Sequence, residues 1–517
     1  MTMTRKSFEP DSRRSGRRVL IGAAVLLLTA ATCVHGQTQS SYADADISEA
    51  VSLELLFDQA VPSHRIDVET VDGIVSLTGS VYNLMARERA TDLAETVKGV
   101  RSVVNRIDVR TPKRPDTEIV EDVVRQLAMN PITESWQIST HCEGGTVIVE
   151  GTLDSWQEKQ LASRLARSVR GVADVRSEIA VDYEEDRPDS EIQEEVEEAI
   201  KWDAYVDGAL IEVSVDNGDV RLSGTVGSAA EKNRVVSDAW FAGVRSVDTD
   251  DLKVSEWARN ERLRSGKYET KADTEVMDAV KDAFIYDPRV NRFGIVVTAD
   301  SGIVTLSGIV GTLEAKRAAA EDSRNTVGVW RVRNLLAVRP KFLRTDELIA
   351  NDVIQAINRN PILEHRTINV NVENGLVFLH GNVRTWFEKG WTENIVSGID
   401  GVIEVENNLV VSDPTPLVNN PYVDEWLLVD FNWRPRRGDS TTLDDWEIEQ
   451  NIERELSWSP FVDGEEVEVT VDDGVADLTG TVETMVERAA AEANAYQGGA
   501  LSVDNDLVVI YGLPYAR

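Results

Sequence analysis

Two glycines six residues apart recur six times along the chain: Gly73 and Gly79, Gly145 and Gly151, Gly218 and Gly224, Gly302 and Gly308, Gly375 and Gly381, Gly474 and Gly480. A third follows each pair after 19 or 20 residues, at Gly99, Gly171, Gly243, Gly328, Gly401 and Gly499. A register kept this closely over 517 residues means that one supersecondary unit is repeated, and it argues against a single large core. The pairs advance by 72, 73, 84, 73 and 99 residues, so two insertions interrupt an otherwise regular step.

Each repeat reads the same way. An aspartate stands 35 residues before the second glycine (Asp44, Asp116, Asp189, Asp273, Asp346, Asp445) and is expected to N-cap a helix. Behind it apolar residues recur every fourth position, as in Ile119, Val123 and Leu127, which is the buried stripe of an amphipathic helix. Pro131, Pro288, Pro361 and Pro460 stop these helices. Alternating residues such as Ile211, Val213 and Val215 lead into turns such as Asp72-Gly73 and Asn374-Gly375, the signature of a β-hairpin. On the second strand Val220, Leu222, Gly224 and Val226 share one face, so the second glycine is expected to face the core and let a helix approach. A second helix follows, for example Ala86 to Val97, with the third glycine expected as its C-cap, and a last strand closes the unit.

The expected fold class is therefore α+β: a tandem array of six small αββαβ modules, each with two helices on one face of a three-stranded mixed sheet. The modules cover 44–111, 116–183, 189–256, 272–340, 345–412 and 444–511, with insertions at 257–271 and 413–443.

These residues resemble the BON domain family, with an apolar-x-Leu-Ser/Thr-Gly-x-Val strand, a helix, Gly-Val and an Asn-x-apolar strand. Here the first motif reads Val-Ser-Leu-Thr-Gly-Ser-Val at 75–81, Val-Arg-Leu-Ser-Gly-Thr-Val at 220–226 and Val-Thr-Leu-Ser-Gly-Ile-Val at 304–310. The sixth copy departs most, with Ala476 in the strand and Gly499-Ala500 in place of Gly-Val. The resemblance implies residence in the cell envelope, binding of phospholipid or protein partners, and a role under osmotic stress.

The charge balance limits the partners. With 54 basic against 90 acidic residues the formal charge is −36, which repels nucleic acid phosphates and excludes them as partners. Residues 1–36 differ from the rest: Arg5, Lys6, Arg13, Arg14, Arg17 and Arg18 precede the apolar run from Val19 to Val34, with small residues near Gly36. This is the order of a cleaved signal peptide, and it predicts a periplasmic protein. Retention as an amino-terminal anchor, or lipidation at Cys33, is the alternative. After cleavage Cys142 alone remains, and no intramolecular disulfide can form.

No residue pattern points to catalysis. His35, His64, His141, His365 and His380 lack metal-ligand spacing, and His141 and Cys142 fall on opposite faces of a strand. The acidic hairpin loops, such as Asp216-Asn217-Gly218-Asp219, are explained by their turns and are not read as calcium sites. No metal, cofactor, small-molecule substrate or enzymatic activity is expected.

The binding candidates lie elsewhere. Five residues after the second glycine, at the entrance to the second helix, stand Leu84, Trp156, Ala229, Leu313, Trp386 and Met485. They either staple the helix start or form an apolar tip for lipid or a partner, and the tryptophans suit a membrane interface. Basic residues gather at Lys98, Arg101, Arg106, Arg110, Lys113 and Arg114, and again at Lys159, Arg164, Arg167 and Arg170 behind Trp156. The candidate lipid-binding set is Trp156, Lys159, Arg164, Arg167, Arg170, Lys113, Arg114 and Trp386; the structural glycines are Gly79, Gly151, Gly224, Gly308, Gly381 and Gly480. The insertions add Trp257, Arg259, Arg262, Arg264, Lys267 and Tyr268, then Phe431, Trp433, Arg434, Arg436 and Arg437, for docking modules or an envelope partner. A phospholipid surface and envelope proteins are the two partner classes.

Overall fold

Alternation with a period of two and a stripe with a period of four place one apolar set on a sheet and another on a helix, and each set needs the other to leave water. The computed structural model describes residues 42–133, 136–183, 187–259, 271–329, 331–341, 343–363, 366–412, 444–459, 462, 464–482 and 485–509. Residues 1–36, expected to be a signal peptide, His365, Pro460, Arg262 to Tyr268 and the whole 413–443 insertion lie outside them.

Six sheets form, each pairing its first two strands antiparallel and its second and third parallel. In module one the helix Asp44–Phe57 precedes strands Ile66–Val71 and Ile74–Val81, and the helix Leu84–Thr96 crosses to strand Ser102–Val109. The α+β class and the six-fold repetition of the mixed three-stranded sheet are as expected. Module six differs in its last strand, which is broken into Ser502–Asn505 and Val508–Val509. The inward strand residues Val75, Leu77 and Val81 meet Ile47, Val51 and Leu55 of the first helix and Ala90, Leu93 and Ala94 of the second, all fully buried.

Three local readings change. The repeated aspartate is the first residue of its helix, not the cap before it; Ala43, Pro115 and Pro188 hold the cap position in the first three modules. Its carboxylate instead accepts from the backbone of the hairpin turn: Asp72 N and Gly73 N donate to Asp44, each at 2.9 Å. The same clasp recurs at Asp116, Asp189, Asp346 and Asp445 with both turn amides. A type I′ turn points both amides to one side of the hairpin, and a carboxylate there also suits the helix N-terminus.

The second glycine has the expected strand parity but makes room for backbone, not for a helix. A Cβ at Gly79 would lie 2.0 Å from the carbonyl oxygen of Arg65, and at Gly308 2.1 Å from that of Gly294, both at positive φ. The third glycine stands beyond the helix end and is not its C-cap: the module-one helix ends at Thr96, with Val97 as cap. The helix approach occurs here, where a Cβ at Gly99 would meet Ile47 Cδ1 at 2.9 Å and one at Gly243 would meet Ile192 Cδ1 at 2.9 Å.

From Tyr42 onward the described residues fall in one compact unit. Its modules therefore touch, and the faces through which they touch are set largely by the second helices.

Candidate functional site

In the first five modules the second helix begins with a side chain that caps it: Asn83, Ser155, Ser228, Thr312 and Thr385 accept from the amide three residues on. The apolar residue that follows is thereby held at the mouth of the helix. It is not stapled to its own module. Leu84 of module one is buried in the core of module two, Ala229 of module three in that of module one, and Leu313 of module four in that of module five. Trp156 of module two stacks on Trp240 of module three, with ring centroids 5.3 Å apart and planes 2° from parallel. Beside it Gln157 Nε2 donates to the Trp240 carbonyl at 2.6 Å. Trp386 has Lys389 Nζ 5.5 Å from its ring centre. The side chain of Met485 lies outside the described set.

The basic candidates are likewise engaged within the chain. Arg167 pairs with Glu88 of module one at 3.1 Å, and Arg87 reaches from module one to Asp174 of module two. Burial raises the pKa of the Glu88 carboxyl, with Arg167 as the main opposing influence. Arg114 bonds Asp122 and the Arg170 carbonyl, while the Arg170 amide donates to the Arg359 carbonyl of module five at 2.8 Å. Lys98 Nζ donates to the Ser457 carbonyl of module six, 2.7 Å away. Arg164 lines a cavity of about 540 Å³ between modules one, two, four and five, together with Glu88, Arg89, Glu314, Arg317 and Trp391. Arg106 and Lys113 are exposed.

Lys159 has a role that the repeat explains. Asn105 in the third strand of module one donates to the Arg87 carbonyl of its second helix, and Asn334, Asn407 and Asn505 do the same in modules four, five and six. Modules two and three have no such asparagine. There the lysine at the matching helix position reaches the strand itself: Lys159 Nζ donates to the Ile179 carbonyl at 2.8 Å, and Lys232 Nζ to that of Leu252 at 2.7 Å. Aligning the six copies column by column would have revealed this substitution.

Modules three and four meet through backbone hydrogen bonds. Ala204 N donates to Asn325 O at 2.8 Å and Val327 N to Trp202 O at 2.9 Å, a short ladder between two helix ends. Arg234 pairs with Asp203 at 2.5 Å and Arg289 with Asp287 and Glu321, all of them shielded from solvent. Burial pushes the pKa of Asp322, in the same cluster, far up, and Asp287 adds to this.

The chemically distinctive side chains are quiet. Cys142 Sγ donates to Asp116 at 3.3 Å, and burial first, then that bond, pushes its thiol up to about 11. The same neighbourhood lowers the Asp116 pKa, led by the Gly144 amide. His141 is exposed on the opposite face of the strand. Among the described residues no three His, Cys, Asp or Glu side chains converge as metal ligands, and no helix is long and apolar enough to cross a membrane.

The BON domain matches residues 43–111, 115–183, 188–256, 272–340, 345–413 and 444–511. Osmotically-inducible protein Y of Escherichia coli K12 is 28% identical over 143 residues, 26% of this chain and 71% of that protein. Two structures of CdsD, a structural protein of the type III secretion system of Chlamydia trachomatis, are 19% and 18% identical. They cover 39% and 40% of this chain and 90% and 95% of those chains, at a TM-score of 0.12 each, too low to carry an argument.

Proposed function

Because this chain belongs to the BON domain family, we propose that it is a non-catalytic envelope protein, exported to the periplasm, that binds phospholipid membranes and supports the envelope under osmotic stress. The similarity to an osmotically inducible protein supports the stress role, and the order of residues 1–36 supports export. The observation that carries the reading is the division of labour in the modules. The residues with chemistry to offer are tied within or between modules, and the outward sheet faces remain as binding surfaces. Arg106 and Lys113 are also available to headgroups, whereas Trp156, Lys159, Arg167 and Arg114 already have partners within the chain.

The test is flotation of the purified chain with vesicles over a salt series. Binding to anionic vesicles that weakens from low to high salt is expected. No flotation at low salt, with or without divalent cations, would refute the reading. A second reading, a scaffold for envelope proteins, draws on the same faces because their outward residues differ from copy to copy. It expects a stable protein partner on purification and no response to vesicles.

A further inference from the structure

The six sheets pair their first two strands in one register, so their outward rows can be compared residue by residue. The row through the position before the second glycine reads Asp67-Thr78-Arg106 in module one and Ser139-Glu150-Glu178 in module two. It reads Glu212-Ser223-Asp251 in module three and Asn369-His380-Asn408 in module five, and in module six Glu468 faces Thr479. In module four it reads Val296-Ser307-Leu335, and the next row is Ile309-Ala337. Phe293 stands at the edge of these rows, beside the Gly294 turn that meets Ile309.

These side chains are on the surface. Phe293 is 89% exposed, Leu335 67%, Val296 58% and Ile309 45%. Strand spacing makes the patch about 10 Å wide across the sheet. Arg292, Arg331, Arg333 and Arg339 surround it and are exposed, and along the three strands the only outward acidic residue is Asp300 at the hairpin end. An apolar centre with an arginine rim is unexpected on a chain of formal charge −36. Water-exposed apolar clusters of this kind mark contact surfaces, and the rim selects a negatively charged contact.

We propose that the outward sheet face of module four, centred on Phe293, Val296, Ile309 and Leu335 and rimmed by Arg292, Arg331, Arg333 and Arg339, docks on an anionic phospholipid surface. This rests on the membrane reading above and places the contact away from the residues of module two. Phe293 and Leu335 enter the headgroup boundary while the arginines bind phosphates, the division expected of an interfacial anchor. Charges elsewhere on the molecule are screened beyond about 8 Å at physiological salt, so the local rim decides the sign of the interaction.

The test compares the full chain with two variants on phosphatidylglycerol vesicles and on phosphatidylcholine vesicles. Val296→Ser with Leu335→Glu places in module four the residues that module two carries in the same register, so the sheet is expected to form, as circular dichroism would check. Its affinity for the anionic vesicles should fall about tenfold. Arg331→Gln with Arg333→Gln should weaken binding and flatten its salt dependence, and Val410→Ser on the module-five face should change nothing. If the parent chain binds and the module-four variants bind equally, the face is wrong and the membrane reading stands. If the parent chain does not bind, both fall. Self-association that is lost in the variants, without vesicle binding, would replace the bilayer with a second copy and overturn the proposal.

Discussion

Modules two and four have the same strands in the same register and present opposite surfaces. Inside, Val147, Val149 and Leu153 of the one correspond to Val304, Leu306 and Val310 of the other, and all six are buried. Outside, Ser139, Glu150 and Glu178 correspond to Val296, Ser307 and Leu335. Packing density leaves the inner positions little freedom. The outer ones are unconstrained by the fold, so copies of one module can diverge there in what they bind.

The contrast is broken most severely from within. Gly308→Ala forces a Cβ against the Gly294 carbonyl at a positive φ, and Gly151→Ala does the same against Gln137. Each should cost about 3 kcal/mol or more of stability in urea denaturation. Leu306→Ala should cost about 3 kcal/mol, whereas Leu335→Ala, two-thirds exposed, should stay within about 0.5 kcal/mol; equal losses would mean that the outer face is packed. Trp156→Ala removes a stack between modules two and three. It should lower stability by about 1–2 kcal/mol and quench a tryptophan-pair signal in near-ultraviolet circular dichroism, while vesicle binding is unchanged.

The smallest effect is expected with pH. Burial, reinforced by Asp92, pushes the Glu95 carboxyl up to about 8, with the Asn233 amide of module three opposing. A carboxyl whose folded pKa is raised binds its proton more tightly in the folded state, so its contribution is fully present below the ordinary value of 4.5 and is lost as pH rises from there through about 8. Glu95→Gln should flatten the fall in unfolding free energy between pH 5 and 8 by an amount on the order of 1 kcal/mol. A slope unchanged by the substitution would show that Glu95 is solvated.

Much of the architecture was legible from spacing because helices, strands and turns are local: Ile119, Val123 and Leu127 announce their helix, and Asp72-Gly73 its turn. The misreadings share a cause. Asp44 was assigned to its own helix, but its carboxylate serves amides 28 and 29 residues away. The helix approach expected at Gly79 occurs at Gly99, because parity and spacing say which way a position faces, not what approaches it.

The candidate site was legible only as a set of residue types. That Trp156 and Arg167 carry aromatic and basic chemistry follows from the sequence, but whether that chemistry is available to an outside partner depends on Trp240 and Glu88, 84 and 79 residues away. The sequence by itself determined the module, its six-fold repetition and the inward face of every strand, since each rests on a short period that one segment must satisfy alone. The tertiary structure decided which of the equivalent faces are covered. Burial between modules depends on the whole set of long-range contacts, and it left the apolar, arginine-rimmed face of module four open to solvent.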